Sequence, residues 1–585
     1  MSSKASFDLV AALVTGAVLV ACTGGGDGAE LAGSSGSAGN SSAGSSGAGG
    51  GGPSPVCQAG GVVPSFHRLN RVEYQNSVNF ALGTALPLAS DLPVDSLVYG
   101  FDNNADVSMS ATLMQKYFNV AQSAVQAALM TPATRDALIP CSLSDMACAR
   151  SVLEKFIGKA YRRPASPAEV DEALGYLQVC TSSAEAGIAC ALQATLLSSK
   201  FLFRMELLAT EQAKACTEAA PLTASADGKL AALALASRLS YWLTTSPPDA
   251  ELRAAAESGA LEQPAVMAQQ VERLLAVAAG PTVASPFIEN FPSQWLQLSA
   301  AAAAMPSPKV FPNFDEPLRQ ALGDESRLYF AAVLTGGRSA LDLVRSDFSF
   351  LNGRLAQHYG IAGVEGEQMR LVTTAGSLRG GILTQGSFLT ATSSSENTSI
   401  VQRAKWVLTN LLCSPLPAPP DGAADAVPAP DPGLGLTNRE SLTLRTANPP
   451  CSGCHVSMNP IGFGLEVFDA VGAFRTTDHG KPIDASGQLP SGETFADTQG
   501  LLALLKQDAR FPACLTKKML TYALGRGLEA SCDGDALKKL ADDFAGDGYD
   551  LKRHIVRLAQ SPLFQTARAY VDPTLIAPET MEEKP

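Results

Sequence analysis

The sequence predicts a mainly α chain made of several helical bundles, with a few short extended segments. Two observations carry that expectation. Apolar residues recur at helical spacing over Asp145 to Ile157, Ser166 to Val179, Leu192 to Leu208, Gly228 to Leu243, Ala265 to Val277, Glu316 to Leu334, Ser399 to Leu412 and Pro512 to Leu524, whereas strict alternation is scarce. The stretch from Cys57 to about Ala567 is also long enough for several cores at roughly 150 residues per domain. Leu371 to Thr374 and Leu383 to Thr392 are the candidate strands or extended loops.

The first element is a leader. Met1 to Asp8 carries one lysine, residues 9 to 21 form an uncharged apolar run too short to span a bilayer, and Leu19-Val20-Ala21-Cys22 follows. Residues 1–22 resemble a lipoprotein signal peptide with its lipobox. The resemblance implies cleavage before Cys22, lipidation of that thiol and a mature chain anchored to the membrane by acyl groups. Thr23 after the cysteine points to the outer membrane or cell surface over retention on the periplasmic side. Residues 23–56 are almost wholly Gly, Ser and Ala, a flexible tether with a span of about 30 Å.

In the body, Ser166-Pro167-Ala168-Glu169 sets out a helix start: a capping serine, proline in the first turn and glutamate at the third position. A weak internal repeat relates Phe156 to Arg163, closed by Ser199 to Phe203, with Tyr522 to Arg526, closed by Ser561 to Phe564. The net charge of −13 and the absence of a Lys/Arg cluster exclude nucleic acid as a natural partner, and leave a cationic protein as a fitting one. No GxSxG elbow, HExxH helix, phosphate-binding GxxxxGK[ST] loop or complete dinucleotide glycine set is present, which excludes the usual hydrolase and nucleotide chemistries.

Twelve cysteines in an exported chain imply disulfides, with Cys141–Cys148, Cys180–Cys190 and Cys514–Cys532 as the locally plausible pairs. Cys451-Ser-Gly-Cys454-His455 stands apart from these. CxxCH is the attachment sequence of c-type haem: two thiols add across the vinyl groups and the histidine reaches the iron as an axial ligand. Zinc lacks a second ligand pair at finger spacing. A redox dithiol usually opens a helix, whereas Asn448-Pro449-Pro450 before the motif and Met458-Asn459-Pro460 after it suggest a loop. One covalently bound haem c is therefore the cofactor expectation.

Around this motif the sequence resembles a known family. Arg379-Gly-Gly-Ile-Leu-Thr-Gln-Gly-Ser-Phe388, Thr398-Ser399, Arg403-Ala-Lys-Trp406 and the run from Cys451 through Met458-Asn-Pro460-Ile-Gly462-Phe463 are similar to the planctomycete cytochrome C family, exported bacterial proteins that join a CxxCH domain to companion domains of undetermined function. Phe66 to Tyr74, Ala160 to Arg163 with Phe201 to Arg204, Leu235 to Tyr241 with Phe350 to Gly360, and Leu520 to Arg526 resemble the companions in order. Ala404, Asn459 and Val467 stand where the family usually has Gly, Asp and often Asn. The resemblance implies helical companions at 57–132, 141–212, 228–360 and 497–568, a cytochrome-c-like haem domain at 376–480, and a tail at 569–585.

His455 is expected to bind iron through Nε2, with its Nδ1 hydrogen given to a backbone carbonyl for which Pro460 is the candidate. Arg475 is the candidate partner for a haem propionate, the alternative being a local salt bridge with Asp469 or Glu466. For the sixth iron position the candidates are His358, which matches the family pattern in the preceding companion, and Met458, whose alternative is core packing. An open position is the other option, and Met369, His479 and Met519 lie outside the family strings. Three function classes follow: electron transfer to a redox partner protein, a haem enzyme with an open distal site acting on peroxide or a small substrate, and a surface scaffold whose helical companions bind polymer or protein.

Overall fold

The computed structural model describes residues 66–103, 108–180, 182–206, 230–276, 285–417 and 434–567; the leader, Cys22, the tether and the tail lie outside them. The chain is mainly α and multi-domain, 60% helical with a few short strands.

The N-terminal part runs β1 (Phe66–Arg68), α1 (Arg71–Leu82), α2 (Ala111–Met130), α3 (Pro132–Leu138), α4 (Met146–Ala160), α5 (Pro167–Val179), α6 (Ala184–Leu197), α7 (Ser199–Leu202) and β2 (Phe203–Met205). Asn70 starts α1 by accepting from the Val72 and Glu73 amides while the Glu73 carboxylate reaches back to the Asn70 amide, a reciprocal cap. Ser166 and Glu169 do the same for α5, as the sequence expects. The helix expected over residues 192–208 instead ends at Leu197, because Ser198 caps a new turn and Phe203–Met205 pairs antiparallel with Phe66–Arg68. One core, from Leu69 to Leu202 with Tyr241, serves both segments.

The second part runs α8 (Ala232–Thr244), α9 (Ala250–Glu257), α10 (Pro264–Leu274), α11 (Pro286–Trp295), α12 (Leu298–Ala303), α13 (Glu316–Thr335), β3 (Phe348–Leu351), α14 (Gly353–Tyr359), β4 (Arg370–Thr373), α15 (Gly386–Ala391), α16 (Ile400–Trp406), a π-helical turn (Val407–Leu411), α17 (Asn438–Arg445) and α18 (Pro449–Phe463). Two hairpins follow, β5 (Thr477–Asp478) with β6 (Lys481–Pro482) and β7 (Gly487–Gln488) with β8 (Thr494–Phe495). Then come α19 (Thr498–Gln507), α20 (Arg510–Leu524), α21 (Ala530–Gly546), α22 (Leu551–Gln560) and α23 (Pro562–Gln565). A single large core unites the third companion, the CxxCH segment and the C-terminal companion, with Phe291 stacked on Trp295, edge-on to Phe330 and tilted against Tyr522. Chain segments that are separate along the sequence therefore share their apolar interior.

Leu371 to Thr374 is extended as expected, pairing as β4 with β3. Leu383 to Thr392 is not: it forms a 3-10 turn (Ile382–Thr384) and then α15. Gly380 and Gly381 direct the chain into that turn at φ of 131° and 103°, with Cβ positions that would fall 2.1 Å from the Ser346 and Val344 carbonyl oxygens. Only glycine fits there.

Cys141–Cys148 and Cys180–Cys190 are disulfides. The expected Cys514–Cys532 pair is corrected: Cys514 bonds Cys413, 101 residues earlier, because the π-helical turn packs on α20, and Cys532 is disulfide-bonded elsewhere. No described helix is long and apolar enough to cross a membrane.

Candidate functional site

The motif occupies the first turns of α18 and not a loop. Proline opens the helix, where the missing N–H costs nothing, and the Asn448 carbonyl accepts from the Cys451 and Ser452 amides. At 100° per residue Cys451, Cys454, His455, Met458 and Asn459 fall on one side of it. Cys451 and Cys454 are free thiols, each half-buried. The helix is pressed against α16 so closely that a Cβ on Gly462 would lie 2.3 Å from the Ile400 carbonyl oxygen, which is why glycine stands there.

His455 Nδ1 lies 2.9 Å from Asn459 Oδ1, and the Asn459 amide in turn donates to Thr446 Oγ1 at 3.1 Å. With Nδ1–H donating to the carboxamide, the Nε2 lone pair has no partner among the described residues. The Pro460 expectation is corrected accordingly: its carbonyl accepts the Gly464 amide at the end of α18, so the acceptor for His455 is a side chain one turn on. Replacing the family's usual Asp by Asn makes that acceptor neutral.

Arg475 is engaged locally. Its guanidinium meets Glu466 at 2.9 Å and Asp478 at 3.1 Å and donates from Nε to the Glu466 carbonyl. Asp469, the other alternative partner, instead accepts the Val471 and Ala473 amides. Glu466 is buried and also accepts from Thr398 and Asn438. Sequence reasoning missed the most buried member of this cluster: Arg403, fully enclosed on α16, donates to the carbonyls of Leu465, Phe468 and Asp469 and so fixes the chain leaving α18. Arg403 stands in its helix beside Gln402 and two residues before Lys405, so nothing in the spacing marks it as the enclosed one.

His358 is engaged with the chain beyond α18. Its Nε2 is 2.8 Å from the Val471 carbonyl, and burial pushes its pKa down, so the neutral ring donates there. Beside it, Arg379 stacks on Tyr359 and Phe468 and donates to the Gly472 carbonyl. His358 and Arg379 thus tie the third companion to the 468–472 turn. Met458 is buried in the large core with Ile461, the packing role. Among the described residues no group of three or more His, Cys, Asp or Glu side chains is placed to hold a bare metal ion.

A groove of about 480 Å³ runs between α17 and the β5–β6 hairpin, lined by Leu436, Thr443, Leu444, Lys481 and Ile483, with Glu466 and Asp478 also on its wall. Leu444 on α17, which precedes the motif, and Val456 on α18, which carries it, are large apolar side chains left 60% and 66% exposed.

Five family models match, each described as a protein of unknown function: DUF1587 over residues 67–130, DUF1595 over 148–206, DUF1592 over 230–361, DUF1588 over 379–478 and DUF1585 over 491–564. These are the domains associated with planctomycete cytochromes, and on that ground the chain is a cytochrome-like helical protein with companion domains. The chain belongs to the planctomycete cytochrome C family. No curated protein and no solved structure matches it.

Proposed function

We propose that this chain is an exported lipoprotein c-type cytochrome that transfers electrons through one haem c attached at Cys451 and Cys454 and ligated by His455. The observation that supports it is the donor set on α18: two unpaired thiols and an imidazole share one helix face, and Asn459 holds the imidazole by Nδ1 so that Nε2 is available to a metal. Bound haem would supply a one-electron carrier. The helical placement removes the loop argument against a simple dithiol. The poised histidine next to the second cysteine is what favours haem, since a dithiol has no use for it.

Asn459 and Thr446 orient the ligand, Gly462 and Arg403 hold α18 in place, and exposed Leu444 and Val456 are apolar surface that a porphyrin would cover. Cys22 carries the acyl anchor in this reading, residues 23–56 give reach from the outer membrane or cell surface, and a cationic redox protein is the partner that a net charge of −13 suits. The alternative of a haem enzyme with an open distal site draws support from one fact: His358 and Met458 are both committed elsewhere.

The test is a potentiometric titration of the protein exported from a host with haem-attachment machinery. A reversible one-electron wave with a low-spin spectrum in both states supports electron transfer; high-spin ferrous iron with peroxide turnover replaces it by the enzyme reading. Cys22→Ala is expected to move the protein from membranes to the soluble fraction.

A further inference from the structure

Between α1 and α2 the chain runs through Leu92-Pro-Val94-Asp95-Ser-Leu97-Val98-Tyr99-Gly100-Phe101. Leu92 and Phe101 are buried, whereas the apolar side chains between them face outward: Val94, Leu97 and Tyr99 are 76%, 60% and 60% exposed, and Val98 is exposed with them. Single exposed apolar residues are ordinary on a protein surface, but four within six positions make a patch.

The segment is fixed in this arrangement. Asp95 accepts the Arg71 amide at 2.8 Å and the Arg68 guanidinium at 3.4 Å, which pins it to β1 and the start of α1. Val98 and Phe101 exchange backbone hydrogen bonds of 2.9 and 3.1 Å across a two-residue turn, with Tyr99 at φ 55° and Gly100 at φ 92°. Asn-Gly is the ordinary occupant of such a turn, so a tyrosine there carries backbone strain and sets an aromatic ring at the tip. A Cβ on Gly527, just beyond α20, would lie 2.7 Å from that ring, so the C-terminal companion braces it while most of it stays exposed. Phe66, the first described residue, is exposed two positions before Arg68, and the chain therefore enters the fold beside the patch.

Residues 1–65 precede Phe66, with the lipobox cysteine at 22 and a Gly/Ser/Ala run whose span is about 30 Å. An acyl anchor at Cys22 would therefore lead the bilayer to this end of the fold. We infer that Val94, Leu97, Val98 and Tyr99, with Phe66, form a lipid-binding face that lies on the surface of the bilayer holding the Cys22 acyl chains. Zwitterionic lipid is the surface it fits, because Arg68 and Asp95 neutralise each other at its base and a net charge of −13 repels anionic headgroups. Aliphatic side chains enter the boundary between headgroups and acyl chains, and tyrosine suits that boundary with one apolar and one polar end. So few side chains bind lipid weakly, and the tether makes the contact persistent by keeping the bilayer at high local concentration.

This inference rests on the lipoprotein reading, so the mass of the mature N-terminus is measured in every sample. The probe is full-length protein anchored in vesicles of phosphatidylcholine and phosphatidylethanolamine, with hydroxyl-radical oxidation of Leu97 and Tyr99 read by mass spectrometry. The soluble Cys22→Ala chain is the reference. Anchoring is expected to lower oxidation at both residues by roughly threefold or more, at high salt as at low. Val94→Asp with Leu97→Asp should restore oxidation of Tyr99 in anchored protein without changing its thermal unfolding, since both side chains are exposed. The inference is overturned if acylated, vesicle-anchored wild type is oxidised at Tyr99 as fast as the soluble chain, or if the double substitution leaves the protection intact. It is also overturned if the soluble chain is already protected and sediments as a dimer, which would assign the face to a second copy. Mature chains without acyl groups would overturn the lipoprotein reading instead.

Discussion

Asn459 Oδ1 holds His455 Nδ1 at 2.9 Å, one helical turn along α18 and on the same side of it. A neutral carboxamide draws on the Nδ1 proton of the imidazole less than the carboxylate that the family usually places there would. Asn459→Asp is expected to make His455 more imidazolate-like and to lower the midpoint potential. Asn459→Leu, which removes the acceptor, should raise it. A redox titration of both variants checks the pair, and potentials shifted in the opposite order would contradict the assigned tautomer.

Arg403 donates to three backbone carbonyls beyond α18 and lies 3.7 Å from the Glu466 carboxylate, with no exposed surface. Arg403→Met strands those acceptors, and removal of one partner of a buried charged network costs roughly 3–5 kcal/mol. Arg403→Lys should recover little, because an ammonium cannot serve carbonyls spread around a planar fork. Thermal unfolding of both variants reads this directly; a lysine variant as stable as wild type would show that charge alone is enough.

Glu325 is buried between α13 and the strand-helix unit that follows, accepting from Ser349 and Tyr359 at 2.6 Å each. Burial pushes its pKa from the ordinary value of 4.5 up to about 7. The folded state therefore binds more protons than the unfolded one between about 4.5 and 7, and its contribution to stability is present below that window and lost as pH rises through it. At about 1.4 kcal/mol per pKa unit the loss is on the order of 3 kcal/mol. Glu325→Gln should flatten this part of the stability profile in denaturant unfolding from pH 4 to 8, and a slope unchanged by the substitution would refute the assignment.

Cys413–Cys514 closes a loop of 101 residues between the π-helical turn and α20. In the chain-entropy account a loop of that length is worth about 4.7 kcal/mol, with measured disulfides commonly nearer 2–4. The double substitution Cys413→Ser and Cys514→Ser should lower the denaturant midpoint accordingly, whereas loss of Cys141–Cys148, which closes seven residues, should matter less.

The helices that carry their own start signals were legible: α5 begins where Ser166 and Glu169 say it should. What local periodicity could not carry was tertiary pairing. Phe203–Met205 is a strand because Phe66–Arg68 lies beside it, and Cys514 chose Cys413 over the nearer Cys532 for the same kind of reason. At the site, CxxCH was visible from spacing alone, but prolines on either side disguised a helix as a loop, since proline in a first turn reads the same as proline in a bend. Asn459 as the imidazole acceptor depends on helix phase, which a string of residues does not display.

The most direct measurement is covalent haem on the denatured chain. Protein exported from a host with haem-attachment machinery should keep its haem stain on a denaturing gel and give a pyridine haemochrome spectrum of the doubly linked type, with one haem per chain; Cys451→Ser with Cys454→Ser should abolish both while the chain is still exported. Folded, exported wild-type protein with no stain and no haemochrome would contradict the account at its centre.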